Sequence, residues 1–291
     1  MASTPDAARQ GDAAPLVQAV VVTYDSATTI TACLRALLAQ PALASLVVVD
    51  NGSRDGTVAL VSAIAGGDAR ISLVERPDNP GFAAACNLGA ASGERRLWLL
   101  FVNPDVELPP AALARLLDHA VTRPALGALG ADLRGADGRP DPAARRHDLS
   151  LRRLLEGGGR RGALDAAVDP TRALQPVDAC SGALMLVSRA AFDAVGGWDA
   201  GYRLHVEDLD FCRRLRDAGF AIAVANDVPV LHHRGVSSRA RPLFVEWHKH
   251  RGLWRYWRRF EARGARLLLA PLVLAVIGAR FAMVVAARRR G

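Results

Sequence analysis

Five places in this 291-residue chain gather side chains able to bind a cation, hold a hydroxyl or move a proton. Three are polar clusters that each follow an apolar run: Thr23-Tyr24-Asp25, Asp50-Asn51-Gly52-Ser53 and Asn103-Pro104-Asp105. Each also suits an ordinary strand-end turn, with Pro104 as punctuation in the last. The fourth is Glu207-Asp208-Leu209-Asp210. An acid in a first helical turn is favourable by about 0.3–1 kcal/mol, but three acids in four positions exceed what a helix start needs. Asp210 is expected to pair with Arg213 or Arg214 at helical spacing. The fifth is His232-His233; neighbours on a strand point to opposite faces, so at most one can join a shared site, and His232 is the better candidate.

These groups need a frame. Val17 to Thr23 is a β-branched run expected as a strand buried on both faces. Thr28 to Ala39 carries Ile30, Cys33, Leu34, Leu37 and Leu38 at helical spacing, stopped by Pro41. Strands are read at 46–49, 71–74 and 97–102, and helices at 58–65 and 82–91. Alternation at this spacing implies βαβ units and a mainly parallel sheet. Ligands of such sheets collect beyond the carboxyl ends of the strands, where the three polar clusters lie. From Leu133 to Pro176 the pattern dissolves into Gly, Arg, Asp and Pro, including Gly157-Gly158-Gly159-Arg160-Arg161, as in a mobile or functional loop. Order returns with a strand at 183–187, a short helix at 189–195, an amphipathic helix at 206–218 and strands at 221–225 and 228–232.

With 51% apolar residues the chain can bury one α/β core and keep an appendage. The expected division is a disordered lead at 1–15, a catalytic-sized domain at 16–242 and a helical, membrane-associating tail at 243–291. The lead lacks the basic start and apolar run of a secretory signal. Cys33, Cys86, Cys180 and Cys212 form no CxxC pair, which excludes a zinc knuckle and a disulfide framework and suits core residues in a reducing compartment. The net charge of +8 is nearly all arginine, Lys249 being the only lysine. Arginines alternate with Trp247, Trp254, Tyr256, Trp257 and Phe260 before the apolar run Leu267 to Ala287. That arrangement suits an anionic membrane surface better than nucleic acid, and Arg280 within the run favours a helix lying in the interface over one that spans.

Val20-Val21-Val22-Thr23-Tyr24, Val49-Asp50-Asn51-Gly52-Ser53, Asn79-Pro80-Gly81-Phe82, Asn103-Pro104-Asp105, Ser181-Gly182-Ala183, Gly196-Gly197-Trp198-Asp199 and Glu207-Asp208-Leu209-Asp210 resemble, in order, the motifs of family 2 glycosyltransferases, within these most the bacterial rhamnosyltransferases that use dTDP-rhamnose. The resemblance covers about residues 17 to 240. It implies the GT-A fold, a Rossmann-like α/β architecture with a mainly parallel mixed sheet flanked by helices. It also implies an inverting transfer from a nucleotide-diphosphate sugar, with Mg or Mn as cofactor. Asn103-Pro104-Asp105 stands where the family often has Asp-x-Asp, so the resemblance makes Asp105 the main protein ligand of the metal, with His232 completing the shell. Thr23, Tyr24, Asp50, Asn79, Gly81, Asn103, Ser181 and Gly182 are implied around the nucleotide sugar, Asp50 on the base. Asn87 reads as helix-surface polarity. The acceptor hydroxyl must lose a proton as it attacks; the resemblance gives that task to the Glu207-Asp208 pair, and to Asp208 in particular.

The implied partners are a nucleotide-diphosphate sugar, a lipid-linked or polysaccharide acceptor of cell-wall type and the cytoplasmic face of the plasma membrane, with no nucleic acid. Two readings compete: a transferase of the same fold using UDP-galactose, UDP-galactofuranose or UDP-N-acetylglucosamine, and a non-catalytic protein that binds nucleotide sugars or membrane. A Rossmann dehydrogenase is disfavoured by the turn Thr23-Tyr24-Asp25-Ser26, which lacks GxGxxG.

Overall fold

The computed structural model describes residues 16–150, 153, 164–233 and 242–289. The lead at 1–15 and the Gly157 to Arg161 run lie outside the described residues. The first half alternates strand and helix as the periodicity implies: β1 (Val17–Thr23), α1 (Ile30–Leu38), β2 (Leu43–Asp50), α2 (Thr57–Ala65), β3 (Ile71–Glu75), α3 (Phe82–Ala91) and β4 (Trp98–Val102). After it come β5 (Val106–Glu107), α4 (Ala112–Val121), β6 (Leu126–Arg134), β7 (Arg145–Arg146), β8 (Leu174–Pro176), β9 (Ala179–Cys180), β10 (Leu184–Ser188), α5 (Arg189–Ala194), α6 (Glu207–Asp217) and β11 (Ala221–His232). Two long helices follow, α7 (Pro242–Tyr256) and α8 (Ala270–Arg289).

The large sheet runs β3-β2-β1-β4-β10-β6-β11-β5, with β8 on β11; β7 and β9 form a separate pair. The strands β3, β2, β1 and β4 are parallel, β10 is antiparallel to β4 and β6, and β11 is parallel to β6. Because β10 runs backwards, its beginning lies at the rim where β4 ends, Leu184 facing Val102. That reversal carries Ser181 and Gly182 to the same rim as Asp105, and β11 ends there with His232.

Alternation along β1 separates two cores. Val17, Ala19 and Val21 pack with α1 and α4, whereas Val20 and Val22 face α3, α5, α6 and α7. Gly89 lets α3 close on β1, since a Cβ there would strike the Val20 side chain. Gln18, buried near the start of β1, is satisfied: it donates to the Gly89 and Ser92 carbonyls and accepts from Arg189.

Three expectations need correction. The stretch from Leu133 is not a single structureless loop where it is described, for Arg134 bridges to Pro140, Pro142–Ala144 forms a 3-10 turn, and β7 and β8 follow. The strands read at 221–225 and 228–232 are one strand, β11, whose register on β6 slips between Ala225 and Pro229. The basic aromatic stretch also differs from a wholly membrane-facing one. Tyr256, Trp257 and Phe260 are buried against the domain, while Trp247 stays exposed.

Candidate active site

The ends of β1 and β2 form one interlocked rim. Thr23 is paired with Asp50 across the strands, and Asn51 N–H donates to the Thr23 carbonyl at 2.8 Å. The Asp50 carboxylate serves its own turn, accepting from the Gly52 and Ser53 backbone N–H groups at 3.0 and 2.9 Å and from the Ser53 hydroxyl. Beside it, the Thr23 hydroxyl and the Asn51 side-chain oxygen are buried without partners. Tyr24 is half-buried at the same edge, and Asp25, at φ 48°, accepts from Arg54 N–H at 2.7 Å. Asn79 sits in a tight turn at φ 44°, its N–H donating to the Arg76 carbonyl. Gly81 has φ 95°, and a Cβ there would lie 2.6 Å from the Arg203 carbonyl oxygen, so that turn and the loop before α6 approach too closely for a side chain at this position.

A second region lies at the ends of β4 and β11. Asp105 is buried, and its Oδ1 has no hydrogen-bond partner. His232 places Nε2 3.5 Å from that oxygen and Nδ1 2.8 Å from Asp141. Burial works against the imidazolium, yet Asp105 and Asp141 outweigh it and lift His232 to about 9. Asp141 is itself fixed by accepting from Ala143 N–H at 2.8 Å. His233 turns the other way, to Glu107, as alternation along a strand requires. Among the described residues no three His, Cys, Asp or Glu side chains converge as a ready metal cage.

The third region is the start of α6. Asp208 accepts from Arg146 at 2.5 Å and from Gly182 N–H at 3.2 Å. Burial pushes its carboxyl up, but the Arg146 charge and hydrogen bond prevail and hold it below the ordinary range. Glu207 behaves oppositely: burial first, then the charge on Asp208, raises it to about 8, and its Oε2 has no partner. Just before them His205 and Val206 have φ 65° and 71°, backbone strain that a β-branched residue adopts only when its surroundings impose it. Gly252 of α7 lies beneath, close enough that a Cβ would sit 3.1 Å from Val206 Cγ2. Asp210 is removed from this group; it accepts from Arg214, rather than Arg213, at 2.6 Å and from Tyr202 at 3.2 Å.

The second and third regions share one junction. Asn103 N–H donates to the Ala183 carbonyl at 2.8 Å, tying the turn that carries Asp105 to the turn whose Gly182 holds Asp208. Ser181, buried, accepts from Ala183 N–H at 3.2 Å and shapes that turn. The two carboxylates therefore flank the β4–β10 seam on one rim.

Two contributors are absent from the sequence reading and a third is misread. Asp141 and Arg146 lie in the Gly- and Arg-rich stretch that has no periodicity. Asn87 is not surface polarity: its side chain donates to the Trp198 carbonyl and accepts from the Trp198 N–H, at 2.8 and 2.9 Å, which fixes the loop leading to α6.

The model of the family described as Glycosyl transferase family 2 matches residues 18–195. An N-acetylglucosaminyl-diphospho-decaprenol L-rhamnosyltransferase of Mycobacterium tuberculosis is 31% identical, the match covering 88% of this chain and 92% of that protein. The chain belongs to glycosyl transferase family 2. As such it is a glycosyltransferase, of hexosyltransferase type, and its fold is GT-A. A mannosyltransferase, PcManGT from Pyrobaculum calidifontis in complex with GDP-Man and Mn2+, superposes with a TM-score of 0.59 at 19% identity, covering 94% of this chain and 76% of that one. GalNAc-T7 with UDP, GalNAc and Mn2+ also gives 0.59, at 15% identity, over 76% of this chain and 44% of that longer one.

Proposed function

We propose that this glycosyltransferase is inverting and uses a divalent cation to move rhamnose from dTDP-rhamnose to a lipid-linked glycan at the cytoplasmic face of the plasma membrane. The observation that carries the reading is the buried Asp105 Oδ1, which has no hydrogen bond and meets His232 Nε2 at 3.5 Å on the rim that also holds Asp208, where a cation would take the place of the imidazolium proton. Two ligand atoms each about 2.1 Å from a small cation lie between about 3.0 and 4.2 Å apart, and 3.5 Å falls within that span. Asp141 on Nδ1 holds the imidazole so that Nε2 faces Asp105, as carboxylates behind metal-bound histidines do. When bound, Mg or Mn offsets the charge of the departing diphosphate.

The chain's own groups do the rest. Thr23 and Asn51 offer a neutral donor and acceptor to the base, on a rim shaped by Tyr24 and Asp50. Asn79, Gly81, Asn103, Ser181 and Gly182 bring backbone close to the diphosphate and the sugar. Asp208, ionised and aimed by Gly182, accepts the acceptor hydroxyl's proton in a single displacement. Rhamnose and a lipid-linked acceptor rest on the mycobacterial relative.

Membrane association rests on the segment 264–287, whose most apolar 18-residue window has a mean hydropathy of 2.3 and is 6% buried. In α8, Phe281 meets Trp247 and His250 of α7, while Val273 shares a cavity with Tyr256 and Trp257, so the two helices run antiparallel side by side. Spanning in this arrangement would draw Lys249, Arg251 and Arg255 into hydrocarbon; lying in the interface keeps them at the phosphates. Transfer assays with dTDP-rhamnose, UDP-galactose, UDP-galactofuranose and UDP-N-acetylglucosamine on a polyprenyl-diphosphate sugar test the reading. Metal-dependent turnover of dTDP-rhamnose is expected; preference for a UDP sugar would replace the donor, and no turnover of any donor would refute it.

A further inference from the structure

Asp208 stands in an unusual company. Two acids, Glu207 and Asp208, are adjacent in sequence at the buried start of a helix, and like charges so placed do not both ionise readily. Something must decide which of them carries the negative charge. The groups in contact with Asp208 come from several elements. On β7 there is Arg146; in the turn before β10, the Gly182 N–H; on α6 itself, the Leu209 N–H and the neighbouring Glu207. The thiols of Cys180 and Cys212 lie close behind, Cys180 kept neutral by its neighbour Cys212 and by burial. His205, with Lys249 beyond it, is within electrostatic reach. Among the described residues, Arg146 is the one cation in ion-pair contact with Asp208.

Its placement is built in. Adjacent residues on a strand point oppositely: Arg145 turns inward to Asp132 and Asn226, at 2.7 and 2.9 Å, anchoring β7. Arg146 is thereby turned to α6, where one NH2 group reaches both Asp208 and the Cys180 carbonyl, the latter at 3.0 Å. Its Nε is buried without a partner, so the Asp208 contact is its principal charged anchor.

We infer that Arg146 is a positioning residue that assigns the negative charge to Asp208 rather than Glu207 and so keeps the proposed base unprotonated and aimed at the β4–β10 seam. The raised Glu207 and lowered Asp208 agree with that division. Without the guanidinium, the two acids share one proton and titrate together at a higher pH. The inference rests on Asp208 as the base of the proposed transfer.

The test is the pH profile of sugar transfer for the full chain and for Arg146→Met and Arg146→Lys. In Arg146→Met the acid limb is expected to move up by about 1 to 3 pH units, with the loss of rate concentrated at acid pH and regained as pH rises; Arg146→Lys should fall between. An unmoved acid limb in a slower variant would make Arg146 a mere structural anchor and overturn the inference. Faster transfer at every pH would overturn it too, since the arginine would then be blocking the base. If the wild-type chain transfers no sugar, the proposed function fails, but carboxyl 13C titration of Asp208, assigned with Asp208→Asn, still decides the matter. A higher midpoint in Arg146→Met than in the wild type supports the inference, and equal midpoints refute it.

Discussion

The rim formed by β1 and β2 and the rim formed by β4, β11 and α6 lie on one edge of one sheet, yet their hydrogen bonding is opposite. At the first rim the carboxylate is satisfied, Asp50 closing its own turn, and the open groups are neutral, Thr23 Oγ1 and Asn51 Oδ1. At the second the open groups are carboxyl oxygens, on Asp105 and Glu207. A buried polar atom without a partner costs about 1–3 kcal/mol, so each marks a place where a ligand can restore what folding removed. In the proposed function the neutral groups match a nucleobase, and the carboxylate beside an imidazole matches a cation. On that proposal the difference separates recognition at one end of the site from chemistry at the other.

Substitutions can break that contrast. The largest effect is expected for Asp208→Asn: turnover falls about 10²–10⁴-fold with donor affinity retained, read by steady-state transfer and calorimetry. Asp105→Asn should lose about 10²–10³-fold through several kcal/mol of missing charge stabilisation and raise the metal concentration needed for half-maximal rate; an unchanged metal requirement would contradict the assignment.

Glu207→Gln tests the second rim without its chemistry. Glu207 is raised from 4.5 to about 8 in the folded chain. The unfolded chain therefore releases this proton first, and its contribution to stability is complete below about 4.5 and is lost as pH rises to about 8. Thermal or urea unfolding between pH 5 and 8 should show wild-type stability declining by up to about 1.4 kcal/mol per pH unit from this group, a slope the glutamine variant lacks. The smallest effect belongs to the first rim. Asp50→Asn should cost about 1–3 kcal/mol of stability while leaving the metal dependence of turnover alone; a metal-requirement change as large as that of Asp105→Asn would erase the distinction.

How much of this is written locally varies along the chain. The strands β1 to β4 are legible because both their faces are buried, leaving near-continuous β-branched runs. Helix α4 is not among the expected elements although Leu113, Leu116, Leu117 and Ala120 hold helical spacing and are buried. Strand β6, Leu-Gly-Ala-Leu-Gly-Ala-Asp-Leu-Arg, has no such density because its neighbours crowd it: a Cβ at Gly130 would lie 2.9 Å from the Cys180 Cβ. Of the site, Asp105, His232, Glu207 and Asp208 are singled out by residue type together with the family resemblance, and the structure brings Asp105 to His232. Asp141, Arg146 and Asn87 are not, because their partners His232, Asp208 and Trp198 lie 91, 62 and 111 residues away, and no local pattern encodes so distant a contact. The aromatic tail misled for the same reason: rings that bury against the domain and rings left exposed alternate in one run.

The most direct test of the account is anomalous diffraction at the manganese edge from crystals soaked with Mn2+ and dTDP. The account predicts one strong peak within bonding distance of Asp105 Oδ1 and His232 Nε2, next to the nucleotide diphosphate. A nucleotide bound with the metal elsewhere, or with Asp105 and His232 still in contact and no metal between them, would contradict it.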